Sequence, residues 1–281
     1  MAKFTCNFIS YTLMRTVDIT VVIPSVTIPE SMGLVSNKEV KDVDSATEGM
    51  MDKAPLAKHT KDAKYPVIYL LHGMGNNHAQ WTGYTNVELF AEERNIAIVN
   101  ISAENKSYVN IAGDRFYDFI ENELPDFVTG MFPISRRPED TYIAGLSMGG
   151  FGTLVHALSQ PEKYKALGAF SAAVALNPAS LSGGPDTGIN PDYDPATLAQ
   201  RIADAGKTFP KAYIACGGQD FLYQANCEFR DKLIALGADV TWDEIPQYGH
   251  EWRFWNIQIE KFMDYIEQYR TDAFAGSRRQ V

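Results

Sequence analysis

From residue 67 onward, short uninterrupted apolar runs alternate with stretches of helical period, and this rhythm constrains the fold more than any other feature of the 281-residue chain. The runs occupy 67–71 (VIYLL), 96–101 (IAIVNI), 141–144 (TYIA), 167–170 (LGAF), 212–216 (AYIAC) and 240–245 (VTWDEI). Each is shorter than a typical helix and most lack polar alternation, which suits strands covered on both faces of a parallel sheet. Helical patterns occupy 87–94, 116–123, 149–159, 222–236 and 252–269, the fourth stopping at Gly237, where a left-handed C′ residue is expected. Strand, helix and strand in this order predict an α/β chain: a mostly parallel central sheet with helices on both faces. An earlier β-branched run, 17–23 (VDITVVI), stops at Pro24 and adds a further strand.

Two segments break the rhythm. Residues 31–64 are polar and aperiodic and read as a surface excursion, not as a linker between domains. Residues 172–210 carry Gly183-Gly184-Pro185 and then Asp194 and Pro195, an N-cap and a first-turn proline that open a short helix through Ala205. This second segment reads either as an ordinary surface connection or as a small lid-like insertion over the carboxyl edge of the sheet. With 45% hydrophobic residues the chain can bury a large core, so residues 1–281 are expected to form a single domain, with 172–210 as its lid segment.

Charge narrows the partners. Twenty-five Lys and Arg against 35 Asp and Glu leave a net charge of −10, with no basic cluster beyond Arg278-Arg279. Nucleic acid and anionic membrane are therefore poor partners. The first residues hold no unbroken apolar stretch, and the run 166–176 is too short to cross a bilayer, so a soluble cytoplasmic protein is expected. Cys6, Cys216 and Cys227 form no CxxC pair and no even set, and read as small buried hydrophobes in a reducing compartment.

Gly145-Leu146-Ser147-Met148-Gly149 matches G-x-S-x-G, in which a sharp strand-to-helix turn presents a serine nucleophile. The pattern alone is weak, because a glycine-rich packing turn with an idle serine looks the same. Context strengthens it: TYIA leads in, and Phe151, Leu154, Val155 and Leu158 follow at helical spacing. A serine nucleophile needs a histidine base, and in this arrangement the acid and then the histidine follow it along the chain. His59, His72 and His78 precede Ser147, and His156 sits nine residues along the helix, about 13 Å away at 1.5 Å per residue. His250, in Tyr248-Gly249-His250-Glu251-Trp252, remains. The acid should end a strand between the two, which selects Asp220 over Asp186, Asp192 and Asp194 in the lid-like segment and over Asp243 and Glu244 inside a strand.

A tetrahedral intermediate needs two backbone donors, one just after the nucleophile and one in the loop after the VIYLL strand. Met148 fills the first place, and Met74 in His72-Gly73-Met74-Gly75-Asn76-Asn77 fills the second. His72 and His78 lack an acidic or cysteine partner at metal-ligand spacing, so loop ordering is the better reading for both, and no metal or cofactor is called for. Aromatic residues flank these loops. Most of them read as core, and Trp81 and Trp252 are placed at the wall of a substrate pocket.

The segments YPVIYLLHGMGNNHAQW, ENELPDFV, AGLSMGGFGTL, ACGGQDFLYQAN and YGHEWRFW together resemble the esterase D-type esterase family, above all its tributyrin-esterase and acetyl- or feruloyl-esterase members. The likeness runs from about residue 17 to residue 269. It implies the α/β-hydrolase fold, a Ser147–Asp220–His250 triad and oxyanion donors at Met74 and Met148. It further implies a serine carboxylesterase acting on short-acyl or aromatic-acyl esters of soluble alcohols, with acylated carbohydrate among the candidate substrates. S-formylglutathione hydrolases are similar relatives, but they usually carry a cysteine-bearing loop where this chain has HGMGNN, which argues against a glutathione thioester. The rival readings are an acyltransferase using the same triad, a thioesterase of that hydrolase type, and an idle binding module. A homo-oligomer is compatible with all of them.

Overall fold

The structure, a computed structural model, describes residues 1–25, 63–111, 113–178 and 190–276. Most of the polar excursion, with His59, and part of the lid-like segment, with Asp186, lie outside the described residues.

Ten strands are present among these residues: β1 (Ala2–Ser10), β2 (Arg15–Ile23), β3 (Val67–Leu71), β4 (Ala97–Ile101), β5 (Asn110–Ile111), β6 (Asp114–Arg115), β7 (Thr141–Leu146), β8 (Ala166–Phe170), β9 (Lys211–Gly217) and β10 (Val240–Ile245). Eight form one sheet in the order β1-β2-β4-β3-β7-β8-β9-β10, and β5 with β6 makes a small separate hairpin. From β4 to β10 every neighbouring pair is parallel, and the β1–β2 hairpin joins antiparallel at one edge. The expected fold, a mostly parallel central sheet of the α/β-hydrolase type with helices on both faces, is therefore present. β1 is an addition to the sequence reading. Phe4, Cys6 and Phe8 alternate with Lys3, Thr5 and Asn7 as a half-covered edge strand should.

The eight α-helices among the described residues are α1 (Gln80–Tyr84), α2 (Val87–Arg94), α3 (Phe116–Asp118), α4 (Leu124–Met131), α5 (Met148–Ser159), α6 (Pro195–Asp204), α7 (Tyr223–Ala235) and α8 (Trp252–Glu267). A π-helical turn, Phe119–Glu123, joins α3 to α4, so the helix expected to end at residue 123 continues to Met131. The wide π turn directly before Pro125 makes room for its ring, which the carbonyl four residues back would otherwise meet in a regular α-helix.

Side chains alternate across the sheet. Tyr69, Leu71, Val99, Ile143, Leu167 and Ile214 point into the layer containing α4 to α7, whereas Ile68, Leu70, Ile98, Tyr142, Phe170 and Tyr213 meet α2 and α8. Phe254, Ile259, Phe262 and Ile266 of α8 are fully buried, each burial being worth about 1.5–3 kcal/mol against exposure. Edge strand β10 departs from the expectation of cover on both faces: its residues are half-buried or exposed because no strand lies beyond it.

The predicted cap of α6 forms, with the Thr197 N–H donating to Asp194 Oδ2 at 2.9 Å. This helix does not cover the carboxyl edge of the sheet. It packs in the helix layer, where Leu198 and Ile202 share a cavity of about 470 Å³ with Leu158 and Ser159 at the far end of α5, some 17 Å from Ser147 at helical rise. All three cysteines are free, and only Cys216 is buried; Cys6 and Cys227 keep some surface, against the expectation for them. No helix among the described residues is long and apolar enough to cross a membrane.

Candidate active site

Parallel strands deliver their carboxyl ends to one edge, and the chemistry-bearing loops start there. β3 ends at Leu71 before the His72–Asn77 loop, β7 at Leu146 before Ser147, β9 at Gly217 before Asp220, and β10 at Ile245 before His250. β3 and β7 are adjacent in the sheet, so the loop carrying Met74 lies beside Ser147.

Ser147 has φ 54° and ψ −117°, a conformation that a residue with a Cβ adopts only when its surroundings impose it. Those surroundings are specific. Its N–H donates to the Phe170 carbonyl at 2.9 Å, and its carbonyl accepts from the N–H groups of Phe151 and Ala173, each at 3.0 Å. The two flanking glycines are required by close approach. A Cβ at Gly145 would lie 2.4 Å from the Gly149 carbonyl oxygen, and one at Gly149 would lie 2.4 Å from the Leu71 carbonyl oxygen. The turn thus packs against β3 and points the serine hydroxyl away from the sheet, at the N-terminus of α5.

His250 Nε2 lies 3.0 Å from Ser147 Oγ, and His250 Nδ1 lies 2.9 Å from Asp220 Oδ2. The Asp220 side chain is wholly buried. Burial pushes its carboxyl up, but hydrogen bonds from His250, the Leu222 N–H and the Ser171 hydroxyl outweigh it and hold the group below the usual carboxylate range. An ionised Asp220 requires the hydrogen on Nδ1 and leaves the Nε2 lone pair facing the serine. Two aromatic rings hold the imidazole: Trp255 meets it edge-on at 4.9 Å and donates its indole N–H to Ser171 Oγ, while Phe221 lies 4.7 Å away.

The Met148 N–H is the first of α5 and one of the orphan donors of a helix N-terminus, where the helix dipole favours negative charge. Across from it, the Met74 loop is tied down at several points. The Gly73 carbonyl accepts from His72 Nδ1 at 2.7 Å, and a trans peptide aims its N–H opposite to its carbonyl, so this bond sets the direction of the Met74 N–H. Asn76 Nδ2 donates to the Met74 carbonyl at 2.9 Å, and the Gly75 N–H donates to Asn105 Oδ1 at 2.8 Å. Burial pushes the His72 imidazole down to about 4, and the Ala103 N–H donates to its Nε2 at 3.1 Å, so the ring keeps one tautomer. His72 therefore orders the loop. His78, bonded to Thr20 Oγ1, is held elsewhere, and among the described residues no group of three or more His, Cys, Asp or Glu is arranged to hold a metal ion.

Of the two tryptophans placed at a pocket wall, Trp81 is not there. It is fully buried, donates its indole N–H to the Leu71 carbonyl at 3.0 Å, and has no surface for a ligand to touch. Trp252 keeps part of its surface, beside Tyr84 and Tyr248 at a cavity of about 500 Å³. The apolar groups exposed nearest the hydrogen-bonded chain are Phe221, 77% exposed, and Met74, 54% exposed. Phe221 and Trp255, which the sequence shows beside the acid and the histidine and which read there as core aromatics, instead hold the imidazole, while Ser171 and Asn105 escaped the sequence reading. Phe221 departs furthest from the core reading, because most of its surface is exposed.

Residues 54–259 match the family described as "Putative esterase". An acetyl esterase of Caldicellulosiruptor saccharolyticus is 29% identical over 221 residues, covering 72% of this chain and 83% of that protein. Among solved structures, FphF, a fluorophosphonate-binding serine hydrolase of Staphylococcus aureus, superposes with a TM-score of 0.76 at 26% identity, covering 96% of this chain and 99% of FphF. The S-formylglutathione hydrolase FrmB of the same organism gives 0.75 at 26%, covering 94% and 98%. Family match, fold and relatives agree that the chain belongs to this esterase family and is a carboxylic ester hydrolase.

Proposed function

We propose that the protein is a serine carboxylesterase hydrolysing short-acyl or aromatic-acyl esters, acetyl, butyryl or feruloyl, of water-soluble alcohols or carbohydrates. The observation that carries this reading is the unbroken Asp220–His250–Ser147 hydrogen-bond chain ending on a strained turn. His250 Nε2 takes the Ser147 proton as Oγ attacks the ester carbonyl. The oxyanion settles between the Met74 and Met148 N–H groups. The alkoxide leaves with the proton from His250, and water, activated by the same nitrogen, releases the acid and restores the serine. Asp220 holds the tautomer and balances the imidazolium.

The acetyl-esterase relative supports a small acyl group, and Phe221 and Met74 offer apolar contact for one. Each acyl methylene buried is worth about 0.8 kcal/mol, roughly fourfold in rate constant, until the pocket is full. kcat/KM on p-nitrophenyl esters is therefore expected to peak between about two and four acyl carbons and to collapse well before lauryl. An acetyl-to-palmitoyl series, with methyl ferulate, acetylated xylo-oligosaccharide and S-formylglutathione alongside, tests this. A maximum at long chains overturns the short-acyl assignment, and S-formylglutathione as the best substrate puts the thioesterase reading in its place.

The pH profile follows from the same chain. Protonating His250 removes the base, so kcat/KM should fall towards acid. Asp220, held below the usual carboxylate range, stays ionised across that fall and adds no second proton. The logarithm of kcat/KM should thus decline with a slope of one. A slope of two would show that the acid titrates together with the base and would contradict the assignment.

A further inference from the structure

Tyr108 lies beyond β4 in a segment of unusual backbone conformation, with Glu104 at φ 49°, Ser107 at φ 55° and Tyr108 at φ 66°. Consecutive non-glycine residues in the left-handed region persist only where the surroundings over-determine them. The Tyr108 side chain is fully buried, and its ring lies so close to α5 that a Cβ at Gly152 would come within 2.6 Å of it. Its hydroxyl donates to the His72 carbonyl at 2.7 Å. Burial pushes the phenol well above its ordinary value, so that proton is always present.

The other end of the residue is held as firmly. The Tyr108 carbonyl faces His156 Nε2 at 2.9 Å, and His156 Nδ1 faces Glu121 Oε1 at 2.6 Å. A carbonyl oxygen only accepts, so His156 Nε2 donates to it. Glu121 also accepts from the Tyr164 hydroxyl and from Lys163 Nζ, each at 2.9 Å, and the Tyr117 ring stacks on His156 with centroids 4.9 Å apart. Burial pushes the Glu121 carboxyl up, but His156 and Lys163 outweigh it and keep the group ionised. This buried cluster touches none of the reacting groups, yet it ends on the loop beside Ser147.

We propose that Tyr108, braced by His156 and Glu121, is a positioning residue that aims the oxyanion donor of the Met74 loop; the inference rests on the assignment of Met74 in the serine-esterase reading. Gly73 has no Cβ, so the two peptide planes that meet at it turn freely unless each is tied. The second plane is tied by His72 Nδ1 on the Gly73 carbonyl, and the first by the Tyr108 hydroxyl on the His72 carbonyl. With both fixed, the Met74 N–H already points where negative charge develops, and the donor need not reorganise during the reaction.

Tyr108→Phe removes the tie and keeps the ring. It is expected to lower kcat on p-nitrophenyl acetate about 10- to 30-fold with KM within about twofold, and to weaken binding of a trifluoromethyl ketone by the same factor as kcat/KM. His156→Gln leaves one donor for the Tyr108 carbonyl and should lower kcat several-fold, again at constant KM; it carries the test if the phenylalanine variant does not fold. A folded Tyr108→Phe enzyme with unchanged kcat and unchanged ketone affinity overturns the proposal, as does a loss confined to thermal stability. Ser147→Ala separates the two levels. If it is inert while Tyr108→Phe runs at full rate, only the positioning role falls; if it stays active, the serine mechanism falls and the positioning role with it.

Discussion

Replacing Ser147 by alanine is expected to reduce ester hydrolysis by about 10⁶-fold in kcat, the scale of loss seen when the nucleophile of a serine triad is removed. In the proposed mechanism the hydroxyl is the attacking group, and among the described residues the hydrogen-bond partner of His250 Nε2 is Ser147 Oγ. Alanine keeps the Cβ and inherits the same backbone position at φ 54°, so the substitution neither relieves nor adds strain at the turn. His250 keeps about a fifth of its side-chain surface, and water can take the place of the lost hydroxyl. The melting temperature should therefore stay within about 3 °C of wild type, a change of at most about 1 kcal/mol. Rates on p-nitrophenyl acetate, read beside a melting curve and fluorophosphonate labelling, check both halves. Activity above a few per cent in a folded, label-resistant variant would exclude Ser147 as the nucleophile.

Asp220→Asn is the second large effect, up to about 10⁴-fold in kcat. The side chain is wholly buried and its two oxygens are spoken for separately: Oδ1 accepts from the Leu222 N–H and Oδ2 meets His250 Nδ1. An asparagine can keep the first bond by placing its oxygen there, which leaves its NH₂ facing the histidine. Nδ1 must then accept, the hydrogen moves to Nε2, and the nitrogen facing Ser147 is no longer a base. The loss should appear in kcat with little change in KM, because no substrate contact is removed. Asp192→Asn and Asp194→Asn serve as controls. A larger loss at either would mean that the acid was misassigned.

Ser147, Asp220 and His250 were legible because each follows an apolar run, and in a parallel sheet the ends of such runs meet at one edge. Other features depended on information that short windows do not hold. The adjacency of Trp81 to the Met74 loop says nothing about which way its ring points, and the ring points into the core. β1 has a visible alternation, but the turn after it contains no Gly, Pro or Asn and closes with Met14 at φ 53°, so the usual hairpin signal is missing. Helix 116–131 passes through Pro125 because a π turn precedes it, a device that local periodicity does not announce. Tyr108 and His156 lie 48 positions apart, and their contact exists only once β4, α5 and the π turn are assembled.

The strand order has a mechanical meaning as well. The two hydrogen bonds at the site join residues 103 and 30 positions apart, on loops leaving three different strands. No fragment of the chain can hold that geometry by itself, so its tolerance is inherited from the ladders between the strands. A slip of one residue between β8 and β9, which now align Phe170 with Ala215, would carry the Asp220 loop about 3.3 Å along the sheet and turn its side chains to the opposite face. Against hydrogen bonds of 2.9 and 3.0 Å that displacement is total. The sheet thus acts as the ruler of the site, and the stiffness of its backbone ladders sets how finely serine, histidine and aspartate stay aligned.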